Sequence, residues 1–223
     1  MKVLQEQLPF WPRLTGAQQK SLAASVSERR VKKGTILHNG SEDCVGVFLV
    51  LRGQLRAYSL SEEGKEITLY RLLERDMCLL SASCMMKSIQ FDVRVEADVD
   101  SEVLHIPTPV YKELMQDSAA VANYTNEVMA ARFSEVMWLM DQILNKSMDS
   151  RIAAFLLEES GLTGHDDLEL THDLLARHLG SAREVISRML KYFQEDGMIS
   201  LTRGRIRILD RGKLQRTAEE SLR

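Results

Sequence analysis

The 223-residue chain has few of the residues that build cofactor sites. Its three cysteines, Cys44, Cys78 and Cys84, are an odd number without a CxxC pair. This pattern does not favour a disulfide framework or a structural zinc site, and one chain cannot supply a four-cysteine iron–sulfur cluster. The five histidines form no HxH or HExxH pair, so no metal centre is predicted. We therefore expect no resident cofactor.

Long apolar runs and an excess of positive charge are also missing. No run approaches the ~20 residues of a membrane-spanning helix. Gln5, Glu6, Gln7 and Pro9 interrupt the segment where a signal peptide would be apolar. The net charge of −3 excludes a histone-like positive coat. These patterns predict a globular protein that works in the cytoplasm without a membrane partner.

The first part of the chain, 1–117, contains short apolar segments separated by glycine-containing turns. Many short strands at regular spacing predict a barrel or jelly roll. The predicted strands are Val45–Leu51, Gln54–Tyr58, Ile67–Leu73, Val93–Ala97 and Glu102–Ile106.

A helical period replaces this pattern over 118–146. Apolar residues recur at alternating steps of four and three, which is typical of a heptad seam. A second apolar stripe accompanies them, and a helix that is apolar on two sides must bury two sides. We predict that one side packs on the strand domain and the other on a second copy; an ordinary core helix is the alternative. The predicted dimer seam consists of Met129, Phe133, Val136, Met140 and Ile143.

The third part, 147–223, concentrates positive charge. Ser147–Ser160 is predicted to be a helix and Gly161–Glu169 a loop, followed by two short helices and a strand pair. Residues 170–216 contain ten Lys and Arg against five Asp and Glu, a net charge of +5, and the remainder carries −8. A basic module on an acidic body indicates a polyanionic partner.

The segment 171–190 predicts a helix-turn-helix. Thr171 can cap a first helix that ends at Gly180. Ser181 can cap the second helix, with Glu184 three residues later at the spacing of a capping box. Two short helices joined at a glycine form the motif that places its second helix in the DNA major groove.

The second helix separates its residues by face. At 100° per residue, one arc of about 140° is polar and the opposite arc is apolar. Arginine can bond guanine bidentately, and a glutamate can accept from the cytosine amino group, although Glu184 could instead only complete the capping box. A plain amphipathic helix with a solvated face is the alternative. The polar arc contains Arg183, Glu184, Ser187, Arg188 and Lys191.

A predicted hairpin follows this helix. Met198–Leu201 and Ile206–Leu209 each contain three apolar residues, and the segment between them is basic and contains Gly204. Such a wing can lay Arg203 and Arg205 along the phosphate backbone.

With strands, long helix and winged helix-turn-helix in this order, nearly the whole chain resembles the Crp/Fnr family of bacterial transcription regulators. The residues that carry the resemblance are Gly180-Ser-Ala-Arg-Glu-Val-Ile-Ser-Arg188, Lys33-Gly-Thr-Ile-Leu, Val47-Phe-Leu-Val-Leu-Arg-Gly53 and Glu63-Gly-Lys-Glu-Ile-Thr-Leu69.

The resemblance implies an α+β architecture with three parts. An N-terminal double-stranded β-helix of jelly-roll type, like a cyclic-nucleotide-binding domain, senses an effector. A central helix forms the homodimer, and the C-terminal winged helix-turn-helix binds a near-palindromic operator on double-stranded DNA. The resemblance also implies a contact with RNA polymerase. It assigns base contacts to Arg183, Glu184, Ser187 and Arg188, with Ser181 and Lys191 beside them.

The sensor departs from the family's cyclic-nucleotide branch. The segment Glu74–Leu80 lacks both glycines of the ligand-binding pattern, and the phosphate-arginine positions hold Phe91 and Asp92. Phenylalanine offers no donor and a carboxylate repels a phosphate. We therefore expect no cyclic nucleotide. The N-terminal cysteines of the iron–sulfur branch are missing from 1–27.

Three interpretations of the effector region stay open. Cys78 and Cys84 could perform thiol chemistry for a redox effector. Ser81, Ser83 and the neighbouring methionines could bind a small metabolite. Alternatively, these residues could only be packed in a core, as free cysteines usually are. Phe91 and Asp92 complete the candidate effector pocket.

The sequence thus predicts a sequence-specific DNA-binding regulator and not an enzyme. Two alternatives remain. A cupin-like jelly-roll enzyme would need a histidine–carboxylate metal cluster, for which the strand region offers only His38 and His105. A dimerising interaction module would show no salt-dependent affinity for DNA.

Overall fold

The computed structural model describes residues 2–40, 44–85 and 92–219, without the side chains of Lys2, Ser83, Cys84 and Met85. Two 3₁₀ segments, Trp11–Arg13 and Leu80–Met85, accompany the α-helices of these ranges. The α-helices are α1 (Lys2–Gln7), α2 (Gly16–Ser25), α3 (Thr108–Asp117), α4 (Ala119–Asn145), α5 (Met148–Thr163), α6 (His172–Leu179), α7 (Arg183–Glu195) and α8 (Arg211–Glu219).

The strands confirm the predicted β-rich first part, with shifts of one or two residues at the ends. Strands β1, β2 and β6 and helices α1, α2 and α3 of this part were not predicted, and neither was α8 near the end of the chain. The strands are β1 (Ser27–Val31), β2 (Ile36–Asn39), β3 (Val47–Arg52), β4 (Leu55–Leu60), β5 (Glu66–Leu72), β6 (Met77–Cys78), β7 (Arg94–Ala97), β8 (Ser101–Ile106), β9 (Asp167–Leu168), β10 (Ile199–Thr202) and β11 (Arg205–Ile208).

The chain forms two compact units. The first comprises Met1–Leu60 and Leu69–Val136, and the second comprises Ser61–Thr68 and Met137–Arg223. The boundary crosses α4 after Val136. The three-part division into 1–117, 118–146 and 147–223 stays a prediction.

The first unit is built from two four-stranded sheets, with the orders β1-β8-β3-β6 and β2-β7-β4-β5. Strand β3 begins with five apolar residues, 47–51, because both of its faces are buried over most of this run. Phe48 and Val50 belong to a core that also contains Leu55 and Val95 of the other sheet. Val47 and Leu49 point to the opposite side, where the N-terminal helices, α3 and α4 form a second core. The predicted jelly-roll layers are therefore present.

Helix α4 carries two different faces. Val121 and Thr125 are buried, and Met129 and Val136 are partly buried against the cores of the first unit. Of the predicted seam, Phe133, Met140 and Ile143 are exposed in the single chain. The exposed residues Phe133, Met137, Met140 and Leu144 lie within about 60° of arc.

The second unit packs α5–α8 against a three-stranded sheet of order β10-β11-β9. Helix α5 begins after Ser147, whose hydroxyl accepts from the Ser150 amide, and ends at the left-handed Gly164. The prediction of a loop over Gly161–Glu169 is wrong in part, because α5 continues to Thr163 and β9 lies within the rest of the segment. Strand β9 has only two residues, of which Leu168 is buried, so it is too short to show a period of two.

Candidate nucleic-acid interface

The first helix of the predicted helix-turn-helix is capped at both ends. The Thr171 hydroxyl accepts from the Leu174 amide at 3.1 Å, as predicted. Gly180 has a φ of 65°, a left-handed conformation that costs little without a Cβ atom. The Ser181 amide then donates to the Ala176 carbonyl at 3.0 Å, which closes the turn between α6 and α7.

The prediction that Ser181 caps the second helix is wrong. Helix α7 begins at Arg183, its N-cap residue is Ala182, and no side chain caps it. Because the Ser181 amide is bonded to the end of α6, the new helix starts one residue later than predicted. Glu184 therefore does not occupy the capping-box position, and it is exposed in the first turn of α7.

Helix α7 has the two faces that the sequence predicts. Ile186, Leu190 and Phe193 are fully buried in the core of the second unit. On the opposite face Arg183, Glu184, Arg188 and Lys191 are exposed, and Ser187 is half-buried. The apolar face fixes the helix to its unit, so that the polar face can meet a ligand.

Helix α6 contacts two side chains of this polar face. The Arg183 guanidinium lies 3.1 Å from the Asp173 carboxylate, and both side chains are largely exposed. The Ser187 hydroxyl lies 2.8 Å from Nδ1 of His172. An exposed ion pair contributes only about 0–1 kcal/mol, so a base or phosphate can replace Asp173. Sequence reasoning missed both contacts, because nothing in the spacing of 172–173 marks them.

The wing places its two arginines differently. Arg203 is exposed at the hairpin tip, next to Gly204. Arg205 is ion-paired with Asp167 at 3.3 Å and with Glu169 at 2.5 Å. Both ion pairs of Arg205 are exposed, as the Arg183–Asp173 pair is, so a phosphate can replace these carboxylates and the predicted phosphate contacts of Arg203 and Arg205 both stay predictions.

Two of the predicted effector residues lie together at the end of β6, where the Ser81 hydroxyl donates to the Cys78 carbonyl at 3.1 Å. Cys78 is a free, buried thiol, and burial raises its pKa. The buried Ser81 hydroxyl donates to the Gly46 carbonyl at 2.7 Å, and Asp92 is exposed. The 3₁₀ segment contains the backbone of residues 83 and 84, but the side chains of Ser83 and Cys84, like all of Phe91, lie outside the described residues.

Sequence reasoning did not identify a buried arginine on the packed face of α4. The Arg132 guanidinium lies 2.9 Å from Asp76 and 2.8 Å from Glu135, and 5.0 Å from the centre of the Tyr70 ring. The available signal in the sequence was that an arginine occupies a position where the helical spacing of apolar residues predicts an apolar side chain. Arg75 precedes Asp76 with a φ of 74°, in a segment where the cyclic-nucleotide branch has a glycine.

Two expectations about cysteine and metal can be compared with the structure. The pattern of three cysteines did not favour a disulfide framework, and Cys44 is nevertheless disulfide-bonded. An odd count excludes complete pairing but leaves room for one bond, which corrects the expectation. Within 2–40, 44–85 and 92–219, no group of three or more His, Cys, Asp or Glu side chains could hold a metal ion. No helix in these ranges is long and apolar enough to cross a membrane.

Two family models match the chain in the order of its parts. The cyclic nucleotide-binding domain matches residues 28–118, and the Crp-like helix-turn-helix domain matches residues 150–217. The first match covers the strands of the first unit, and the second covers α5–α8 with the hairpin.

Characterised proteins resemble the chain over most of its length. The global nitrogen regulator of Synechocystis is 26% identical over 170 residues, which are 73% of this chain and 75% of that protein. The transcriptional activator protein Anr of Pseudomonas aeruginosa is 26% identical over 189 residues, 82% of this chain and 76% of that protein.

A solved structure from Eubacterium rectale, assigned to the Crp/Fnr family of transcriptional regulators, is much closer. It is 55% identical with a TM-score of 0.94, and the match covers 96% of this chain and 100% of that one. Both domains, their order and the full-length match agree. The chain therefore belongs to the Crp/Fnr family and is a DNA-binding transcriptional regulator of that type.

Proposed function

We propose that two copies of this chain bind a near-palindromic operator, each placing α7 in a major groove. The observation that carries this proposal is the division of α7 into a buried apolar face and an exposed face with Arg183, Glu184, Arg188 and Lys191. Half-sites about one helical turn apart would fit two such helices. The net charge of +5 over 170–216 supports attraction to phosphate.

Within this interface Arg188 and Arg203 have different roles. Arg188 is exposed in the middle of α7 and can bond base edges, whereas Arg203 at the wing tip can contact phosphate. Glu184 can accept from a cytosine amino group, because it does not form the capping box. Arg183 can also contact DNA once a base or a phosphate has replaced Asp173 as its partner.

Selection of bound sequences from a random DNA pool tests this assignment. The wild type should enrich a two-fold symmetric sequence. Arg188→Ala should lose preference at one or two positions of each half-site, at a cost of about 1–3 kcal/mol. Arg203→Ala should weaken binding to every sequence and lower the salt slope by about one. Arg13→Ala, at an exposed arginine outside the basic segment 170–216, is the matched control.

Each outcome of the selection has a clear meaning. If Arg188→Ala enriches the wild-type sequence with unchanged affinity, α7 does not contact bases through Arg188. If the wild type enriches no sequence under any condition, the operator proposal fails.

We also propose that the first unit binds an effector other than a cyclic nucleotide. Asp92 is an exposed carboxylate at a position where a cyclic phosphate would need a cation. Asp76 already bonds Arg132, and Arg75 replaces a glycine of the ligand-binding segment. Calorimetry with cyclic AMP should detect no binding at micromolar concentrations, and micromolar binding would overturn this proposal.

The remaining parts of the proposal concern partners and place. The protein acts in the cytoplasm, contacts RNA polymerase at its promoters and catalyses no reaction. Its resemblance over most of its length to proteins named as regulators supports this. In the strand region, Nε2 of His105 is bonded to the Val45 carbonyl at 2.7 Å, which does not favour a metal site of cupin type.

A further inference from the structure

The first turn of α6 contacts the middle of the polar face of α7. Nδ1 of His172, the first residue of α6, lies 2.8 Å from the Ser187 hydroxyl oxygen. At 100° per residue, Ser187 lies about 40° from Arg183 on one side and about 40° from Lys191 on the other. Ser187 is half-buried, whereas Arg183 and Lys191 are exposed. The hydrogen bond therefore involves a side chain in the centre of the face that the proposed function places in the groove.

The packing of the two helices does not depend on this hydrogen bond. Leu175 of α6 and both Ile186 and Leu190 of α7 are fully buried in the core of the second unit. The burial of three large aliphatic side chains outweighs one hydrogen bond between half-buried groups. The contact between His172 and Ser187 is therefore free to serve the polar surface of α7.

The direction of the hydrogen bond decides what Ser187 can offer to a base. A serine hydroxyl has one proton and two lone pairs. If it donates its proton to Nδ1 of His172, only lone pairs face the groove, and they accept from the amino group of cytosine or adenine. If Nδ1–H donates to the hydroxyl oxygen, the serine proton is free to bond O6 or N7 of guanine or O4 of thymine.

The protonation state of His172 selects this direction. A neutral imidazole has one nitrogen that accepts and one that donates, whereas both nitrogens of a protonated ring donate. The start of a helix carries positive potential from its free N–H groups, which favours a lone pair on the ring nitrogen nearer the backbone, Nδ1. In the neutral ring Nδ1 therefore accepts from Ser187, and protonation of the ring reverses the bond.

Charged groups of both signs lie next to this contact. Asp173 and Arg183 pair with each other at 3.1 Å, so that these two charges largely balance. The other helix packed on α6 is α5, and its Arg151 bonds the opposite end of α6, at the Leu179 carbonyl. The remaining charged neighbours are Glu169 before α6 and Glu184, Arg188 and Lys191 on α7.

We propose that His172 is a positioning residue for base recognition, because it sets the hydrogen-bond direction of Ser187 and with it the base that Ser187 reads. This inference rests on the proposed function, since α7 must lie in a major groove. With a neutral ring, Ser187 prefers cytosine or adenine. With a protonated ring, it prefers guanine or thymine. The proton comes from the solvent, and only hydrogen bonds change.

NMR spectra of the nitrogen-labelled full-length protein test the hydrogen-bond direction without DNA. The signals of the His172 ring are identified by their loss in His172→Gln. At about pH 8, Nδ1 should have the chemical shift of an unprotonated acceptor and Nε2 that of a protonated nitrogen, and at about pH 5 both should be protonated. A neutral ring with its proton on Nδ1, or a ring that is still neutral at the lower pH, would overturn the proposal.

Selection of bound sequences from a random DNA pool at about pH 5 and about pH 8 tests the base preference. The position whose preference is lost in Ser187→Ala is the one that Ser187 reads. There the wild type should change from cytosine or adenine at the higher pH to guanine or thymine at the lower pH, by roughly 3- to 10-fold in relative affinity. Circular dichroism checks that the protein is folded at both pH values.

Two histidine variants separate the role of His172 from other effects of pH. His172→Gln should show the same preference at both pH values, because its side chain does not titrate. His165→Gln, at an exposed histidine of the same unit, is the matched control and should keep the change of the wild type.

The two measurements distinguish this proposal from the proposed function. If the wild type enriches an operator whose preference at the Ser187 position is independent of pH, or changes equally in His172→Gln, His172 does not control the reading. If Ser187→Ala loses no position of that operator, Ser187 reads no base and the proposal fails. If the ring nitrogens behave as expected but the wild type enriches no sequence at either pH, the proposed function fails and the reversal of the hydrogen bond stands.

Discussion

The exposed stripe on α4 leads to a quantitative prediction about dimerisation. Phe133 is 67% exposed in the single chain, in line with Met137, Met140 and Leu144. A phenylalanine side chain buries about 200 Å², so about 130 Å² remains to be covered in each copy. At about 25 cal/mol per Å², this area corresponds to about 3 kcal/mol per copy.

Phe133→Ala should therefore weaken the dimer strongly. Both copies lose the contact, but alanine keeps part of the area, so we expect a loss of about 3–4 kcal/mol. The dissociation constant should then rise roughly 10²- to 10³-fold. Analytical ultracentrifugation over a dilution series measures it, and circular dichroism checks that α4 is intact.

Val99→Ala provides the control, because Val99 is exposed on the turn between β7 and β8. It should leave the dissociation constant unchanged. A Phe133→Ala protein that is folded and dimerises as tightly as the wild type would show that the stripe is not the dimer interface. The same result from Phe133→Glu would exclude this seam altogether.

Three further changes test other features. Thr171→Ala removes the cap of α6 and should cost about 1 kcal/mol in urea unfolding; an unchanged midpoint would contradict the cap. Glu96→Gln neutralises the carboxylate that lies 2.7 Å from the fully buried Arg56 guanidinium, and the loss of this charge-assisted hydrogen bond should lower the free energy of unfolding by about 1.5–3 kcal/mol. A loss under about 1 kcal/mol would refute this. Burial raises the pKa of the Cys78 thiol in the folded protein. As the pH rises past about 8.5, the thiol therefore loses its proton in the unfolded chain first, and the free energy of unfolding should fall. Cys78→Ala should remove that part of the pH profile measured by thermal unfolding, and an identical profile would contradict it.

Much of the fold could be predicted because local signals agree with packing. The apolar run over 47–51 of β3 and the period of α4 both follow from burial. By contrast, β1 was missed because its sequence Ser-Glu-Arg-Arg-Val is mostly exposed on a sheet edge and has no alternation. Strand β6 has only two residues, too few for any period.

The candidate DNA interface was predictable to a similar extent. The polar face of α7 followed from its angular pattern, and Thr171 and Gly180 followed from capping chemistry. The start of α7 did not follow from the sequence, because the Ser181 amide donates to the Ala176 carbonyl in the turn. Contacts between distant positions, such as Arg205 with Asp167, depend on the folded register and leave no local signal.

Strand β3 lies between the two cores of the first unit, and its successive side chains alternate between them. Phe48 and Val50 face the space between the sheets, whereas Val47 and Leu49 face the core beneath α4. Met129 of α4 packs against both cores. Because close-packed interiors transmit displacement instead of absorbing it, a molecule that moves this strand from one side must also move the packing of α4 on the other. Strand β3 can therefore transmit a displacement, caused by an effector bound in the first unit, to α4, the helix that carries the exposed residues Phe133, Met137, Met140 and Leu144.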